Sequence, residues 1–378
     1  MKLTVTVKLG TTQEQHAALL QTLRTCNAAC ERISQVAFQS QTFRQFDLHQ
    51  LTYYPIREKS ALPAQHVIRT IAKVADAYKL GTDTLRTFQP TGAIELDSRL
   101  LSWKVQEQTV GITTLRGRLS IPFLCSVAQK ALLRGQRGQS DLMLRDGVFY
   151  LACSVTVEDA QPFVPTGVIG IDLGIVHLAT DSQGNHYTGE PVRKVRRKYR
   201  RLRQLLAPRK SASARKHRKK LARKEARFVK DTNHRISKQL VQLALDRQKA
   251  LAVETLTGIR PRGNGLSRAM RTELNNWAFL QLKLFLIYKS KRAGVTVIEV
   301  DARYSSQECS ACHHTERANR RSQERFCCQC CGLELNADYN ASLNLKARGV
   351  KSLLARQSDA LMFREEADAS DLGQAHEL

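Results

Sequence analysis

Three acidic side chains stand where a charge is hard to accommodate. Asp172 falls within the apolar run "GVIGIDLGIVHLATD" and Glu254 within the apolar run "KALAVETL". Both runs are predicted to be buried strands, with Asp172 near a strand centre, and an unpaired carboxylate there would be strongly destabilised by desolvation. Asp338, in "NADYNASLNL", begins a predicted helix, where capping is the ordinary role of an aspartate. The first two acids therefore need a cationic partner.

Divalent cations would supply that partner if the three acids met in the fold. An RNase H-like sheet brings together a strand centre, a strand end and a helix start, which are the places predicted for these residues. Converging carboxylates repel one another unless cations lie between them. Two Mg²⁺ ions about 4 Å apart would then clamp the attacking water and the leaving oxygen of a phosphodiester. The spacing of the acids along the chain leaves their convergence open.

A second group of residues has the spacing of a metal site. Four cysteines form the pattern C-x2-C, fifteen residues, C-x2-C, namely Cys309, Cys312, Cys328 and Cys331. Two such knuckles can close a tetrahedral zinc site. The stretch "FCCQCCG" also allows Cys327 with Cys330, but Gly332 directly follows Cys331 and accepts the positive φ of a knuckle turn. We therefore assign zinc to the first set and regard Cys327 and Cys330 as spare thiols.

The chain is strongly basic. It has 60 Lys and Arg against 34 Asp and Glu, a formal charge of +26, which favours a polyanionic partner. Residues 192–230 concentrate this charge, with nineteen Lys and Arg and one acid, Glu225. Such a run can be a solvated helix face, but the imbalance favours contacts with a phosphate backbone. The residues expected to make these contacts are Arg193, Lys194, Arg196, Arg197, Lys198, Arg200, Arg201, Lys216, Arg218, Lys219 and Lys220.

The sequence contains no targeting or membrane signal. The opening "MKLTVTVKLG" has no apolar run of signal-peptide length, and no stretch approaches 18 uncharged apolar residues. We expect a soluble, intracellular protein, located in the cytoplasm and without a membrane partner. In that compartment the ten cysteines are not expected to form disulfides, which strengthens the metal interpretation of the six cysteines between residues 309 and 331.

The first part of the chain is predicted to be a small β-barrel with helices, over about residues 11–85, inserted into it. A short strand precedes two amphipathic helices, and short alternating strands follow. Thr11 and Glu14 have capping-box spacing at the start of the first helix. Cys26 and Cys30 lie on its apolar stripe, so core packing is favoured over a redox or metal role.

The second part is predicted to be an α/β domain with a mixed sheet. It follows the linker 158–167, in which two prolines and a glycine precede the apolar strand. A basic helical segment over 192–248 includes His234, which we expect to pack or contact phosphate and not to act as a base. Residues 350–378 lack a periodic core pattern and are predicted to be a disordered tail.

Six motifs resemble those of one family. In chain order they are "GIDLGIVHLAT", "AVETLTGIR", "WAFLQLKLFLIYKSKRAGV", "YSSQECSAC", "FCCQCCG" and "ADYNASLN". They resemble the TnpB (OrfB) family of transposon-encoded, RNA-guided DNA nucleases, which are related to the type V CRISPR effectors. The resemblance is specific over residues 167–349 and weaker before them.

This resemblance implies a RuvC-like nuclease domain over residues 161–349, with a zinc-ribbon insertion over 305–335. The catalytic triad would be Asp172, Glu254 and Asp338, which would hold two Mg²⁺ ions beside one structural Zn²⁺. The enzyme would be a metal-dependent, RNA-guided DNA endonuclease.

The resemblance also implies that residues 1–160 form a wedge barrel with an inserted helical recognition bundle. These residues would hold a guide RNA encoded near the gene and read a short motif beside a double-stranded DNA target. A loose alignment places Gln65 where a motif-reading residue lies. His313 departs from the family pattern, which has glycine after the first knuckle.

Other functions remain open at the level of sequence. A nuclease-inactive relative could occupy DNA as a repressor, although all three acids are present. A recombinase could use the same triad for strand transfer, because two metal ions activate a 3′ hydroxyl as readily as water. A zinc ribbon that only binds RNA would leave the triad unexplained.

Overall fold

The computed structural model describes residues 1–135, 137–255, 279–322 and 324–374. The chain divides into two units, Met1–Glu158 and Asp159–Leu378, each with a hydrophobic core of its own. The helix predicted from "ELNNWAFLQLKLFLIYKSKRAG" begins in residues outside the described part. None of the helices in the described ranges is long and apolar enough to cross a membrane.

A curled antiparallel sheet forms the first unit. Its strands are β1 (Lys2–Leu9), β2 (Ile94–Leu96), β3 (Leu101–Lys104), β4 (Thr109–Thr114), β5 (Gly117–Leu124), β6 (Arg137–Arg145) and β7 (Val148–Thr156). They are hydrogen-bonded in the order β2-β6-β7-β1-β5-β4-β3. The two edge strands, β2 and β3, are joined by the short segment 97–100, so the sheet curls until its edges approach. This is the near-closed barrel that the alternating strands predicted.

Helices are inserted into this sheet. They are α1 (Gln13–Gln39), α2 (Gln45–Ser60) and α3 (Ala64–Tyr78) between β1 and β2, and α4 (Val127–Leu133) between β5 and β6. The capping box of α1 is formed by Thr12 and Gln15, so the predicted box is shifted by one residue. The shift arises because the sequence offers two overlapping Thr registers, and the helix begins after the second.

A mixed sheet forms the centre of the second unit. Its strands are β8 (Val168–Asp172), β9 (His177–Asp181), β10 (His186–Thr188), β11 (Ala250–Glu254) and β12 (Val297–Val300). Their order is β10-β9-β8-β11-β12, with β9 antiparallel to both of its neighbours, β8 and β10, and β11 parallel to both of its neighbours, β8 and β12. The mixed sheet was predicted, but Asp172 ends β8 and does not lie at a strand centre. The apolar run is a pair of strands that turns at Gly174, and not one strand.

Helices cover both faces of this sheet. They are α5 (Glu190–Leu206), α6 (Ala212–Asp246), α7 (Phe279–Ala293) and α8 (Ala337–Gln374). Because successive strand residues point to opposite faces, Ile169 and Ile171 pack in one cluster with residues of α6 and α7, whereas Val168 packs in another with Leu345 of α8. A ribbon of β13 (Arg325–Cys327) and β14 (Glu334–Asn336) directly precedes α8.

The final helix corrects one prediction. Residues 350–374 were predicted to be a disordered tail, yet the backbone of α8 is helical as far as Gln374. The segment has no proline, and its commonest residues are Ala and Leu, which favour helix even without a periodic apolar face. The absence of an apolar face therefore did not imply disorder of the backbone.

Candidate active site

The carboxyl ends of two parallel strands place two of the acids side by side. Asp172 and Glu254 are the last residues of β8 and β11. The register pairs Val253 with Ile171, so the next residue of each strand lies in adjacent positions on the same face. That face is the one covered by α8, since Val168 and Ala252 on it pack with that helix. Both carboxylates therefore lie beside α8.

The direction of α8 brings Asp338 to the same place. A Cβ on Gly349 would lie 2.8 Å from Val168 and 2.6 Å from Ala252, whereas a Cβ on Gly170 would collide with the backbone of residues 342 and 346. Later residues of β8 thus meet earlier residues of α8, and the two elements run antiparallel. Extending this pattern by one helical turn places Asp338 near Asp172.

Asp338 does not cap its helix. The side-chain oxygen of Asn336 accepts hydrogen bonds from the backbone amides of Asp338 (3.0 Å) and Tyr339 (3.1 Å). The ordinary interpretation of Asp338 as an N-cap is therefore wrong. Its own carboxylate, in the first turn and buried, lies 3.8 Å from where a Cβ on Gly174 would stand. The cap at Asn336 leaves this carboxylate available to the site.

The three acids share an electrostatic environment. Burial, together with the charges of Asp338 and Glu254, raises the pKa of Asp172 to about 8. Burial also raises the pKa of Glu254 and of Asp338, and the nearby cations Lys283 and Arg320 oppose these two shifts. Converging carboxylates whose pKa values rise together form a donor set that suits a divalent cation.

Three further side chains border the acids and were missed by the sequence analysis. Arg320 lies with its Nη2 3.5 Å from Oδ1 of Asp338. His177 and His186, whose ring centroids are 4.8 Å apart, oppose the rise in the pKa of Asp338. Arg320 belongs to the cysteine-rich segment, and only the fold shows that this segment reaches the acids. The position of His177 at the start of β9, close after Asp172 in the chain, was the available signal.

The four predicted cysteines converge. The sulfur atoms of Cys309, Cys312, Cys328 and Cys331 all lie within 4.8 Å of one another. Two of the separations are 3.6 Å, between Cys309 and Cys331, and 3.5 Å, between Cys312 and Cys328. Tetrahedral zinc with Zn–S bonds of about 2.3 Å implies sulfur separations of about 3.8 Å. The donor set and its spacing therefore fit a zinc ion.

The register of the second knuckle is the predicted one. The amides of Cys331 and Cys330 donate to Sγ of Cys328 over 3.4 Å each, and these hydrogen bonds lower the pKa of that thiol to about 6. Gly332 has φ +74°, as a tight knuckle requires. Cys327 and Cys330 lie outside the cluster. In the first knuckle His313 takes φ +62°, so a non-glycine residue occupies the strained position.

Within the described ranges, the cysteines are the only group of three or more His, Cys, Asp or Glu whose ligand atoms are gathered this closely. The three acids meet at one place but are spread further apart.

The basic run forms a helical hairpin of α5 and α6. Its single acid, Glu225, pairs with Arg203 at 2.5 Å and with Arg196 at 3.9 Å, which fixes the two helices to each other. Arg193 and Arg200 are half-buried. The other basic residues predicted to contact nucleic acid are exposed: Lys194, Arg197, Lys198, Arg201, Lys216, Arg218, Lys219 and Lys220. Arg196 therefore has a structural contact, and a role for the exposed residues stays a prediction.

The remaining candidates have structural partners. Gln65 donates to the carboxylate of Asp97 and accepts from Nη1 of Arg99 at 3.2 Å, so its amide is engaged and its motif-reading role stays a prediction. Cys26 and Cys30 are buried in the core as predicted, and burial raises the pKa of each thiol to about 12. His234 stacks on Phe285 with ring centroids 3.9 Å apart, which confirms the packing interpretation.

Two family models match the chain. Residues 152–260 match OrfB_IS605, described as a probable transposase, and residues 279–345 match the Cas12f1-like TNB domain. The first match contains Asp172 and Glu254. The second contains Asp338 and the four clustered cysteines.

Three relatives each match a part of the chain. The chain is 33% identical over 205 residues to the CRISPR-associated endodeoxyribonuclease Cas12f1 of Sulfoacidibacillus thermotolerans, covering 50% of this chain and 47% of that protein. It is 30% identical over 224 residues to the putative RNA-guided DNA endonuclease InsQ of Escherichia coli, covering 54% of each. A TnpB-like protein of Methanocaldococcus jannaschii is 35% identical over 126 residues, 33% of this chain and 45% of that protein.

The chain spans about half the length of the curated relatives that it matches. The residues that the two family models match include every acid and the four clustered cysteines of the candidate site. The OrfB model over residues 152–260 and the Cas12f1-like model over residues 279–345 agree with the resemblance to the TnpB (OrfB) family and its type V relatives that the six motifs indicated.

Proposed function

We propose that this protein is an RNA-guided DNA endonuclease of a transposable element, which hydrolyses DNA phosphodiester bonds at a RuvC-like site. The observation that carries the proposal is the meeting of three carboxylates at the ends of β8 and β11 and the start of α8. A fold that served only to bind nucleic acid would gain nothing from gathering three carboxylates whose pKa values stay raised despite the nearby cations Lys283 and Arg320. Names of the relatives, an endodeoxyribonuclease and a putative RNA-guided DNA endonuclease, support the same class.

Asp172, Glu254 and Asp338 would hold two Mg²⁺ ions. Carboxylate oxygens are the ligands that Mg²⁺ prefers, and a bound cation would oppose the burial and the neighbouring charges that raise the pKa of Asp172. Bound there, the metal supplies a nucleophile at neutral pH and stabilises charge on the leaving oxygen. Arg320, 3.5 Å from Asp338, is placed to contact a phosphate oxygen at the same site.

One zinc ion bound by the four cysteines would have a structural role. The cysteine-rich segment, residues 305–335, leads into α8. The amide of Ala337, the first residue of α8, donates to the carbonyl of Glu324 at 3.1 Å, which ties the start of the helix to this segment. The ribbon also supplies Arg320. By fixing the ribbon, zinc would fix both the start of α8 and this arginine, so that the metal centre supports the acids without taking part in the reaction.

The basic hairpin and the first unit would hold the nucleic acids. Exposed Lys and Arg of α5 and α6 would bind phosphates of the guide RNA or the target, and the residues of the first unit would form the wedge barrel and recognition helices. Gln65, with Arg99 bound to its amide, would read the short motif beside the target. In this arrangement base pairing supplies the sequence and the protein supplies backbone contacts.

The test is to express the gene with its downstream flank and to sequence the RNA that copurifies. The ribonucleoprotein is then incubated with a plasmid library that carries a target matching that RNA beside randomised flanking bases. We expect a discrete RNA and Mg²⁺-dependent cleavage of plasmids with one flanking motif. Absence of a discrete RNA would refute guidance by RNA.

Strand transfer is the second candidate, because one matching family model is described as a probable transposase. The same assay separates the two, since joined DNA products identify a recombinase and free ends identify a nuclease. Binding without cleavage in any divalent metal would identify a nuclease-inactive binding protein.

A further inference from the structure

An open depression lies beside the last strand of the mixed sheet. Its volume is about 520 Å³, and its lining includes Glu299, Asp301, Arg303, Tyr304 and Arg348. No role in metal binding or in the basic hairpin explains it. The lining combines an aromatic ring, guanidinium groups and carboxylates, which together can meet the base, the phosphate and the exocyclic amines of a nucleotide.

Tyr304 is held in a strained conformation. Its φ is +61°, in the left-handed region that a residue with a Cβ rarely adopts. The carbonyl of Tyr304 accepts hydrogen bonds from the amides of Gln307 (2.8 Å) and Glu308 (2.9 Å), which fix this turn. The side chain is 64% exposed, so the strained backbone presents the ring to solvent and does not bury it. The strain is not offset by burial of the ring, and strained residues of this kind are enriched at ligand-binding sites.

Hydrogen bonds from Arg348 hold the backbone of the loop that carries Tyr304. The guanidinium of Arg348 donates to the carbonyls of Asp301 and Arg303 and to the carboxylate of Glu308. Arg303 itself is 83% exposed in its side chain, with Nε 2.7 Å from the carboxylate of Asp301. The depression therefore presents an exposed ring, on a backbone held by hydrogen bonds, next to an exposed guanidinium.

The depression adjoins the acids. It is lined by Val300, the end of β12, which is paired in register with Glu254, and Glu254 is adjacent to Asp172 in the same sheet. Two strand spacings amount to about 10 Å. Val300, at the edge of the depression, is therefore about two strand spacings from Asp172, and a DNA strand bound at the acids could extend into the depression.

We propose that this depression binds one nucleotide of a DNA single strand, with its base stacked on Tyr304 and its phosphate on Arg303. The inference rests on the proposed nuclease function, to which it adds a subsite that orients the strand next to the cut. An aromatic ring can stack on any base. A contact that does not depend on the base suits an enzyme whose sequence specificity comes from its guide RNA.

The experiment uses the full-length protein with whatever RNA copurifies, and single-stranded DNA that contains 2-aminopurine, in Ca²⁺. We expect the fluorescence of 2-aminopurine to be quenched on binding. Tyr304→Gly should abolish the quenching and weaken binding about tenfold. Tyr304→Phe should preserve both, because it keeps the ring. Equal quenching and equal affinity in the wild type and Tyr304→Gly would overturn the proposal.

Glycine is the appropriate replacement because it accepts φ +61° without strain, so a folding defect cannot explain weakened binding. Arg303→Gln should weaken binding and flatten its salt dependence, and an unchanged salt dependence would remove Arg303 from the subsite. The measurement needs neither a matching guide nor cleavage. A failure of RNA guidance in the plasmid assay is therefore distinguishable from a failure of the subsite.

Discussion

Two groups of potential metal ligands lie in the second unit, and they are built in opposite ways. The four cysteines come from one short segment of the chain, residues 309–331, and their sulfur atoms lie within 4.8 Å of one another. The three acids come from β8, β11 and α8, and their carboxylates are more loosely arranged. Cysteines brought together by local turns can be predicted from their spacing in the sequence. Acids brought together by packing between distant elements can be assigned to one site only once the fold is known.

The largest expected effect comes from the acids. Asp172→Asn should reduce cleavage by about 10³-fold or more, because losing a carboxylate removes several kcal/mol of metal-dependent stabilisation of the transition state. Binding of RNA and target, measured by gel shift, should stay near that of the wild type. Cleavage rates under single-turnover conditions in Mg²⁺ test this, and Glu254→Gln and Asp338→Asn should behave alike.

The same variant has a second expected result. In EDTA at pH 7, Asp172→Asn should unfold at a higher temperature than the wild type. Burial and the charges of Asp338 and Glu254 raise the pKa of Asp172 to about 8, so the folded state disfavours the ionised carboxylate that the unfolded chain carries, and asparagine removes that cost. A lower unfolding temperature would mean that the carboxyl of Asp172 stabilises the fold.

The cysteine group should respond in an all-or-none manner. Cys328→Ser and Cys331→Ser should lose zinc, whereas Cys327→Ser and Cys330→Ser should retain about one zinc per chain, since only the first two lie in the cluster. Zinc content of the purified variants, measured by mass spectrometry, tests this. The reverse pattern would shift the register by one residue.

A smaller effect is expected from the basic hairpin. Replacing Lys216, Arg218, Lys219 and Lys220 with Gln should weaken nucleic-acid binding and reduce the slope of log K against log salt by about 0.7 to 0.9 for each phosphate that is no longer neutralised. Arg203→Gln is the matched control, because Arg203 pairs with Glu225. It should lower thermal stability and leave the slope nearly unchanged, and a fall in slope equal to that of the fourfold variant would contradict this division.

The smallest effect concerns the first knuckle. His313→Gly should stabilise the zinc-bound protein by about 1 kcal/mol, because glycine accepts φ +62° without the cost that histidine incurs. The substitution also removes the interaction between Nδ1 of His313 and Glu308 at 3.2 Å, which is exposed at the histidine and contributes little. Chemical denaturation in the presence of zinc measures the change. A lower free energy of unfolding in the variant would mean that an interaction of His313 contributes more stability than its strained backbone costs.

The sequence predicted the local features well. The cysteine register followed from Gly332, and the mixed sheet followed from apolar runs alternating with helices. The predictions were wrong where two local structures were possible for the same residues. Asp172 was assigned to a strand centre because the turn at Gly174 was not recognised, and the capping box was shifted between two adjacent threonines.

Features created by packing between distant segments could not be predicted. Arg320 is separated from Asp338 by a ribbon whose path sequence alone does not give, and the orientation of α8 against β8 is set by glycine contacts at two separate sites. The strained Tyr304 lies within a motif that was quoted for its cysteines, and nothing in its neighbours indicates a positive φ.

The close packing of β8 against α8 at Gly170 and Gly349 also affects how the group of three acids can change during evolution. At Gly170 the helix backbone lies so close that any added side chain must push it away, and the start of the helix carries Asp338. A single mutation there would separate the acids while leaving each of them in the sequence. A lineage can therefore lose cutting and retain binding without losing an acid, and a survey of relatives that counts only the three acids would classify such a protein as an active nuclease.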